Sequence, residues 1–284
     1  MSDSATPGPA SDAYPSATWR LIVDGAADGA TNMAVDDAIL TAVIGGDSPP
    51  TLRFYAWSPP CLSLGRNQPL ADVDRAACRA AGVEVVRRPT GGRAILHTDE
   101  LTYSAALLQT DPRATGDVVE SYRRLSEGLL AGLQRLEVGV VQAVGQRKPA
   151  AATTAVCFET PSDYEITTGG RKLVGSAQWR AQGGVLQHGS LPLHGDLGRI
   201  VACLAFSDAE REAQRRRLRQ RAATLEEALG RRVPFAGVAE ALAAGFAEAL
   251  NLTLVRGELT AGERAVAADL RRSRYADGGW TQRA

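Results

Sequence analysis

Apolar and polar positions along this chain recur with two different periods, and the places where the period changes mark out its elements. Residues 1–17 (MSDSATPGPASDAYPSA) are Pro, Ser, Ala and Asp with almost nothing to bury, which predicts a disordered tail. WRLIVDG then reads as a strand. Residues 32–43 (NMAVDDAILTAV) place Met33, Ala34, Ile39, Leu40 and Val43 at helical spacing behind Thr31 and Asn32, either of which suits a cap. TLRFYAW at 51–57 predicts a second strand, residues 61–64 a third after the Pro59-Pro60 break, residues 71–81 a helix, and VEVVR at 83–87 a strand entering RPTGG. AILH and LTYSAALL continue in extended form. A helix over 117–137 has Val118, Tyr122, Leu125, Leu129, Leu133 and Leu136 on one face, and VGVVQAV is extended again.

Alternation returns at 163–167 and 185–193, with Gly169-Gly170 and Gly183-Gly184 at the reversals, so residues 154–193 predict an antiparallel meander. On such a sheet Cys157 precedes the first strand and Lys172 opens the second, which allows the two to fold back into contact. After Phe206 the composition shifts to DAEREAQRRRLRQR, followed by capping-box patterns at Thr224 to Glu227 and Thr260 to Glu263, an Ala-rich helix at 238–250 and the short strand LTLVRGEL. These features predict a main domain over 18–221 and a small helical unit over 222–284, although the same helices could pack on the main sheet as one domain.

Charge narrows the function classes. Lys plus Arg and Asp plus Glu both total 32 in 284 residues, so no overall field selects nucleic acid or an acidic membrane, and a charged partner must meet a local patch. The arginines at 211, 215, 216, 217, 219 and 221 form one such patch, readable as a docking surface for an acidic protein or as a solvated helix face. Four scattered cysteines without a CxxC pair, and only three histidines, argue against a structural metal and a disulfide framework and fit a reducing compartment. No apolar run approaches a membrane span and the start lacks a signal-peptide pattern, so a cytoplasmic protein is expected.

Three groups of residues can carry chemistry. RRPTGGRAILH (residues 87–97) is a strand, a Gly-rich turn and a strand; it reads either as a tight hairpin or as a loop that brings backbone N–H groups and two exposed arginines to an anionic ligand. Cys157 lies in a polar stretch, and a nearby Lys172 would favour its thiolate, while desolvation would equip the lysine to take a proton. Such a dyad suits acyl transfer from a thioester. Otherwise Cys157 is an inert buried thiol, as Cys78 and Cys203 are expected to be. His188-Gly189-Ser190 closes an apolar strand; His188 and His97 are either satisfied structural residues or line a pocket, and His194 is assigned no role.

RRPTGGRAILH, the following ELTYS, GRKLVGSAQ and VLQHGSLPL, in this order, resemble the lipoate-ligase-like branch of the biotin/lipoate protein ligase superfamily over about residues 19–206. ATP-dependent ligases of that branch have a third glycine where this chain has Arg93 and no cysteine at position 157; both departures resemble the cysteine-dependent octanoyltransferases. The resemblance implies an α/β (α+β) fold with a mixed, largely antiparallel sheet flanked by helices and a small C-terminal helical appendage. It implies Cys157 as the acyl-accepting thiol and Lys172 as its dyad partner. It places an acyl-binding wall on Arg88, Thr90, Gly91, Gly92 and Ala94 with His97 beside it, a second wall on Gly175, Ser176 and Ala177, and His188 and Gly189 on the closing strand. The implied partners are octanoyl-acyl carrier protein and a lipoyl-domain acceptor such as the glycine-cleavage H protein, with no metal or cofactor. An ATP- and magnesium-dependent ligase, a lysine-to-lysine amidotransferase and a non-catalytic acyl-binding protein remain as alternatives.

Overall fold

The computed structural model describes residues 13–142 and 165–283. Its strands are β1 (Ala17–Ala27), β2 (Thr51–Trp57), β3 (Cys61–Leu64), β4 (Glu84–Arg87), β5 (Ile95–His97), β6 (Glu100–Leu108), β7 (Val141–Gln142), β8 (Ile166–Thr168), β9 (Arg171–Ala181), β10 (Gly184–Pro192) and β11 (Leu252–Arg256). Eight of them form one sheet in the order β11-β1-β2-β6-β10-β9-β8-β7, and three form a small sheet in the order β4-β3-β5. In the large sheet β1 runs parallel to both β2 and β11, and the other neighbours are antiparallel. The mixed, largely antiparallel sheet implied by the sequence is therefore present, and the meander is its β8-β9-β10 part.

The helices are α1 (Gly29–Gly45), α2 (Arg75–Ala80), α3 (Val118–Arg135), α4 (Asp208–Arg221), α5 (Leu225–Leu229), α6 (Phe235–Ala249), α7 (Ala261–Leu270) and α8 (Gly278–Thr281). Helix α1 starts earlier than the apolar spacing predicts, because Asp28 rather than Thr31 or Asn32 caps it, accepting from the Thr31 N–H at 2.7 Å; Gly46, at φ 79°, ends it. It lies buried between the large sheet and α7, so even its polar residues Asn32, Asp36 and Asp37 are enclosed. The helix expected over 71–81 splits into a single turn at Leu70–Asp72 and α2, whose cap is Asp74.

Two expectations change. The RRPTGG segment is not a hairpin: β3 lies between β4 and β5, parallel to the first and antiparallel to the second, so the loop crosses over the end of β3. The close approach needs glycine, since a Cβ on Gly65 would strike the carbonyl oxygen of Gly92. Within the stretch expected to be a tail, residues from 14 onward are held: the Tyr14 hydroxyl donates to Glu127, Asn251 donates to the Tyr14 carbonyl at 2.9 Å, and β1 begins at Ala17.

Residues 222–283 join the same body. Strand β11 extends the large sheet beside β1, α6 packs on α3, and α7 packs on α1. Glu263, part of the α7 capping box, is 1 % exposed and takes two guanidinium nitrogens of Arg20 on β1 at 2.8 and 2.5 Å. The α3–α6 contact is a backbone contact: a Cβ on Gly245 would collide with the Gly132 nitrogen, and one on Gly132 would sit 2.6 Å from the Leu242 Cα. A larger residue there must push the helices apart, because no flexible side chain can yield. Gly245→Val should therefore destabilise the protein by about 1–3 kcal/mol or more, read as a melting temperature lowered by several degrees; an unchanged melting temperature would show that α6 docks on α3 differently.

Candidate functional site

Strand β10 pairs residue by residue with β6 and β9, which sets His188 opposite Ser104 and Ala177, Gly189 opposite Tyr103 and Ser176, and Ser190 opposite Thr102 and Gly175. The small sheet and its crossover loop lie over this part of the large sheet. Between them is a narrow pocket lined by Met33, Tyr55, Trp57 and Ile95, by Gly92, Gly175 and Gly189, and by the polar side chains of Ser63, Arg88, His97, Thr102, Ser176, His188 and Ser190, with Ala177. Glycines allow its walls to pack closely. A Cβ on Gly189 would lie 2.6 Å from the Tyr103 ring and 2.7 Å from the Gly175 carbonyl oxygen, so only glycine lets β9, β10 and Tyr103 meet there. The Tyr103 hydroxyl accepts from Gln187 at 3.0 Å and donates to Ser176 at 2.8 Å, which orients Ser176.

Two buried carboxylates hold the pocket's polar walls. Asp36 of α1 accepts from Arg53 Nη1, the Tyr55 hydroxyl and the Ser104 hydroxyl, each at 2.8 Å. His188 Nδ1 lies 3.5 Å from Asp36 Oδ2 without the geometry of a hydrogen bond, while its Nε2 meets the Thr90 hydroxyl at 2.7 Å. Burial pushes the Asp36 carboxyl up, but His188 and the Arg53 charge outweigh it and hold the group below the usual carboxylate range. Burial depresses the pKa of His188 against the opposing pull of Asp36, so the imidazole is neutral near pH 7.

The second carboxylate, Glu100, opens β6. It accepts from His97 Nδ1 and the Thr102 hydroxyl at 2.6 Å and from the Ser190 hydroxyl at 2.5 Å. Burial raises its pKa, and the donors His97, Ser190 and Thr102 more than reverse this. His97 stacks on the Trp57 ring with centroids 3.9 Å apart, and its Nε2 lies 2.7 Å from Ser63 Oγ. Ser63 Oγ in turn accepts from Arg88 Nη1 at 3.0 Å.

Of the residues singled out in the sequence, Arg88, Gly92, His97, Gly175, Ser176, Ala177, His188 and Gly189 meet at this one pocket. Thr90 braces it through His188, whereas the Gly91 carbonyl accepts from Arg88 at 2.9 Å and Ala94 is buried in the core under the small sheet. The two arginines are not exposed as expected: Arg87 and Arg88 are 0 % and 3 % exposed. Arg88 donates to the carbonyls of Ser63, Gly91 and Arg93 and so knits the crossover loop to β3, while Arg87 donates to those of Gly65, Gln68 and Thr281 and ties the segment after β3 to α8.

Lys172 is 6 % exposed on β9, three positions before Gly175, with Nζ 2.5 Å from Glu165 Oε1. The lysine is desolvated as expected, and a carboxylate faces it that the sequence did not suggest. Cys157 lies outside the described residues. Helix α4 ends beside Lys172, where the Ala223 N–H donates to the Lys172 carbonyl at 2.9 Å. Among the arginines of that helix, Arg211 faces Asp74, Arg215 and Arg216 face Glu212, and Arg219 faces Asp196, so much of the basic patch is compensated within the protein.

Sequence reasoning missed Asp36, Ser63 and Glu100 as parts of the site. A signal for Glu100 was present: in ELTYSAALL, Glu100, Thr102 and Ser104 alternate with Leu101, Tyr103 and Ala105, which puts three polar groups on one face of a strand buried throughout that stretch.

The Lipoyl protein ligase A/B catalytic domain model matches residues 28–247. Octanoyltransferase LipM of Kyrpidia tusciae is 47 % identical over 266 residues, covering 92 % of this chain and 97 % of that protein. The Moorella thermoacetica protein of the same name is 46 % identical over 274 residues, covering 95 % and 99 %. Among solved structures, a bipartite lipoate protein ligase from Thermoplasma acidophilum, studied with its E2 lipoyl domain, superposes with a TM-score of 0.79 at 23 % identity over 94 % of this chain and 96 % of that one, a likeness of fold. With the family model spanning most of the chain and relatives above 40 % identity over nearly its full length, this chain belongs to the lipoyl protein ligase A/B catalytic-domain family.

Proposed function

We propose that this protein is an octanoyltransferase that moves an octanoyl group from acyl carrier protein to a lysine of a lipoyl-domain protein by way of a thioester on Cys157. The observation that carries the reading is identity of 44–47 % over 92–95 % of the chain to three relatives named octanoyltransferases. The pocket agrees with it chemically. Its Met33, Tyr55, Trp57 and Ile95 surfaces suit an alkyl chain.

In this reading the donor thioester is already activated, so no nucleotide is required. Cys157 attacks the octanoyl carbonyl, the carrier's thiol leaves with a proton, and the acceptor's lysine amine attacks the enzyme thioester to form an amide and restore the thiol. Lys172 is the group that would favour the attacking thiolate and carry the proton, with Glu165 orienting its ammonium at 2.5 Å. Backbone N–H groups near Gly175 or Gly92 would face the oxyanions of the two tetrahedral intermediates.

Cys157→Ala should abolish octanoyl transfer to the acceptor while leaving the melting temperature unchanged. Full activity of that variant with free lipoate, ATP and magnesium would instead assign the protein to the ligases. Lys172→Arg keeps the charge but hardly deprotonates. Transfer by it should fall about 10²–10⁴-fold, and turnover near wild type would place the base elsewhere.

A further inference from the structure

The buried polar groups on the small-sheet side of the pocket contain a second arrangement competent for acyl chemistry. Ser63 Oγ is 2.7 Å from His97 Nε2, and His97 Nδ1 is 2.6 Å from Glu100 Oε1. The hydroxyl contacts the imidazole nitrogen that can take its proton, and the carboxylate contacts the other nitrogen, so the three are connected as nucleophile, base and orienting acid. The stacked Trp57 fixes the plane of the imidazole, and Thr102 and Ser190 fix the carboxylate. Ser63 and His97 both line the pocket, and Arg88 Nη1 donates to the serine oxygen at 3.0 Å, which holds the hydroxyl in place.

We infer that Ser63, His97 and Glu100 give the protein a second, hydrolytic activity toward medium-chain acyl thioesters and esters, independent of Cys157. Ser63 Oγ attacks the acyl carbonyl as its proton passes to His97 Nε2. The carbon–sulfur bond breaks, and the thiolate leaves with that proton. Water then attacks the acyl-serine ester, His97 taking a proton from the water and returning it to Ser63 Oγ, so that one thioester and one water become one carboxylic acid and one thiol. Glu100 holds the imidazolium through Nδ1–H in both halves. This activity goes beyond the transfer proposed above and rests on that reading for its substrate class.

The test uses the full chain carrying Cys157→Ala, which removes the competing thiol. Treated with an octylphosphonofluoridate, an active-site serine reagent with an alkyl chain, it should gain one covalent adduct that peptide mass spectrometry locates at Ser63. The same protein should hydrolyse p-nitrophenyl octanoate. Adding Ser63→Ala or His97→Asn should lower that hydrolysis by about 10²-fold or more. The labelling result requires no change at Ser63 and so stands even if those variants fold poorly. No adduct, an adduct at another residue, or hydrolysis that survives Ser63→Ala would overturn the inference.

Discussion

Two carboxylates buried under the pocket, Glu100 and Asp36, are the constraint on which the rest of the arrangement depends. Glu100 belongs to β6 of the large sheet and binds His97 of β5 in the small sheet, Ser190 of β10 and Thr102 of its own strand. Asp36 draws α1, β2 and β6 together through Arg53, Tyr55 and Ser104. An ionised carboxylate in such a place is tolerated only when its oxygens are filled by donors, and removing one partner from a buried pair costs about 3–5 kcal/mol. The apolar walls can therefore stand apart as an open slot, because the polar groups at its base fix the spacing of the two sheets.

The slot takes its shape from that spacing and from glycine. Gly189 permits β9, β10 and Tyr103 to converge, and the approach of Gly65 to Gly92 folds the crossover loop over the pocket. Arg88 stabilises the loop from within by donating to its Gly91 and Arg93 carbonyls, and Arg87 donates to the Gly65 and Gln68 carbonyls of the segment after β3. The same loop carries Thr90 to His188, linking the loop to the strand that closes the pocket. Lys172 stands on the strand that forms the second wall, so the register of β9 against β10 fixes both the lysine and the glycine-lined part of the slot.

Much of this was legible in the sequence because it depends on local pattern. The strands of the meander, the apolar face of the helix at 118–135 and the capping box at Thr260 follow from periodicity and side-chain chemistry confined to a few residues. The wall residues Gly175, Ser176, Ala177, His188 and Gly189 were found by motif. What escaped depends on partners distant in sequence. RRPTGG resembles a hairpin until β3 is seen between its two strands, and the arginines look exposed until the carbonyls that surround them are in place. The change of composition after Phe206 marks a change in surface chemistry, yet β11 pairs with β1, the first strand of the chain. Asp36 lies among apolar neighbours in a helix, and only the Arg53 and Tyr55 of another element explain how its charge is buried.

The central claim is that acyl transfer passes through a covalent intermediate on the protein and needs no nucleotide. Intact-mass analysis of the wild-type chain mixed with octanoyl-acyl carrier protein, without ATP, tests it directly. The account predicts a mass increase of one octanoyl group, mapped by digestion to Cys157 and discharged when an acceptor lipoyl domain is added. An unmodified chain that nonetheless transfers octanoate, or an adduct that forms only with ATP, would contradict it.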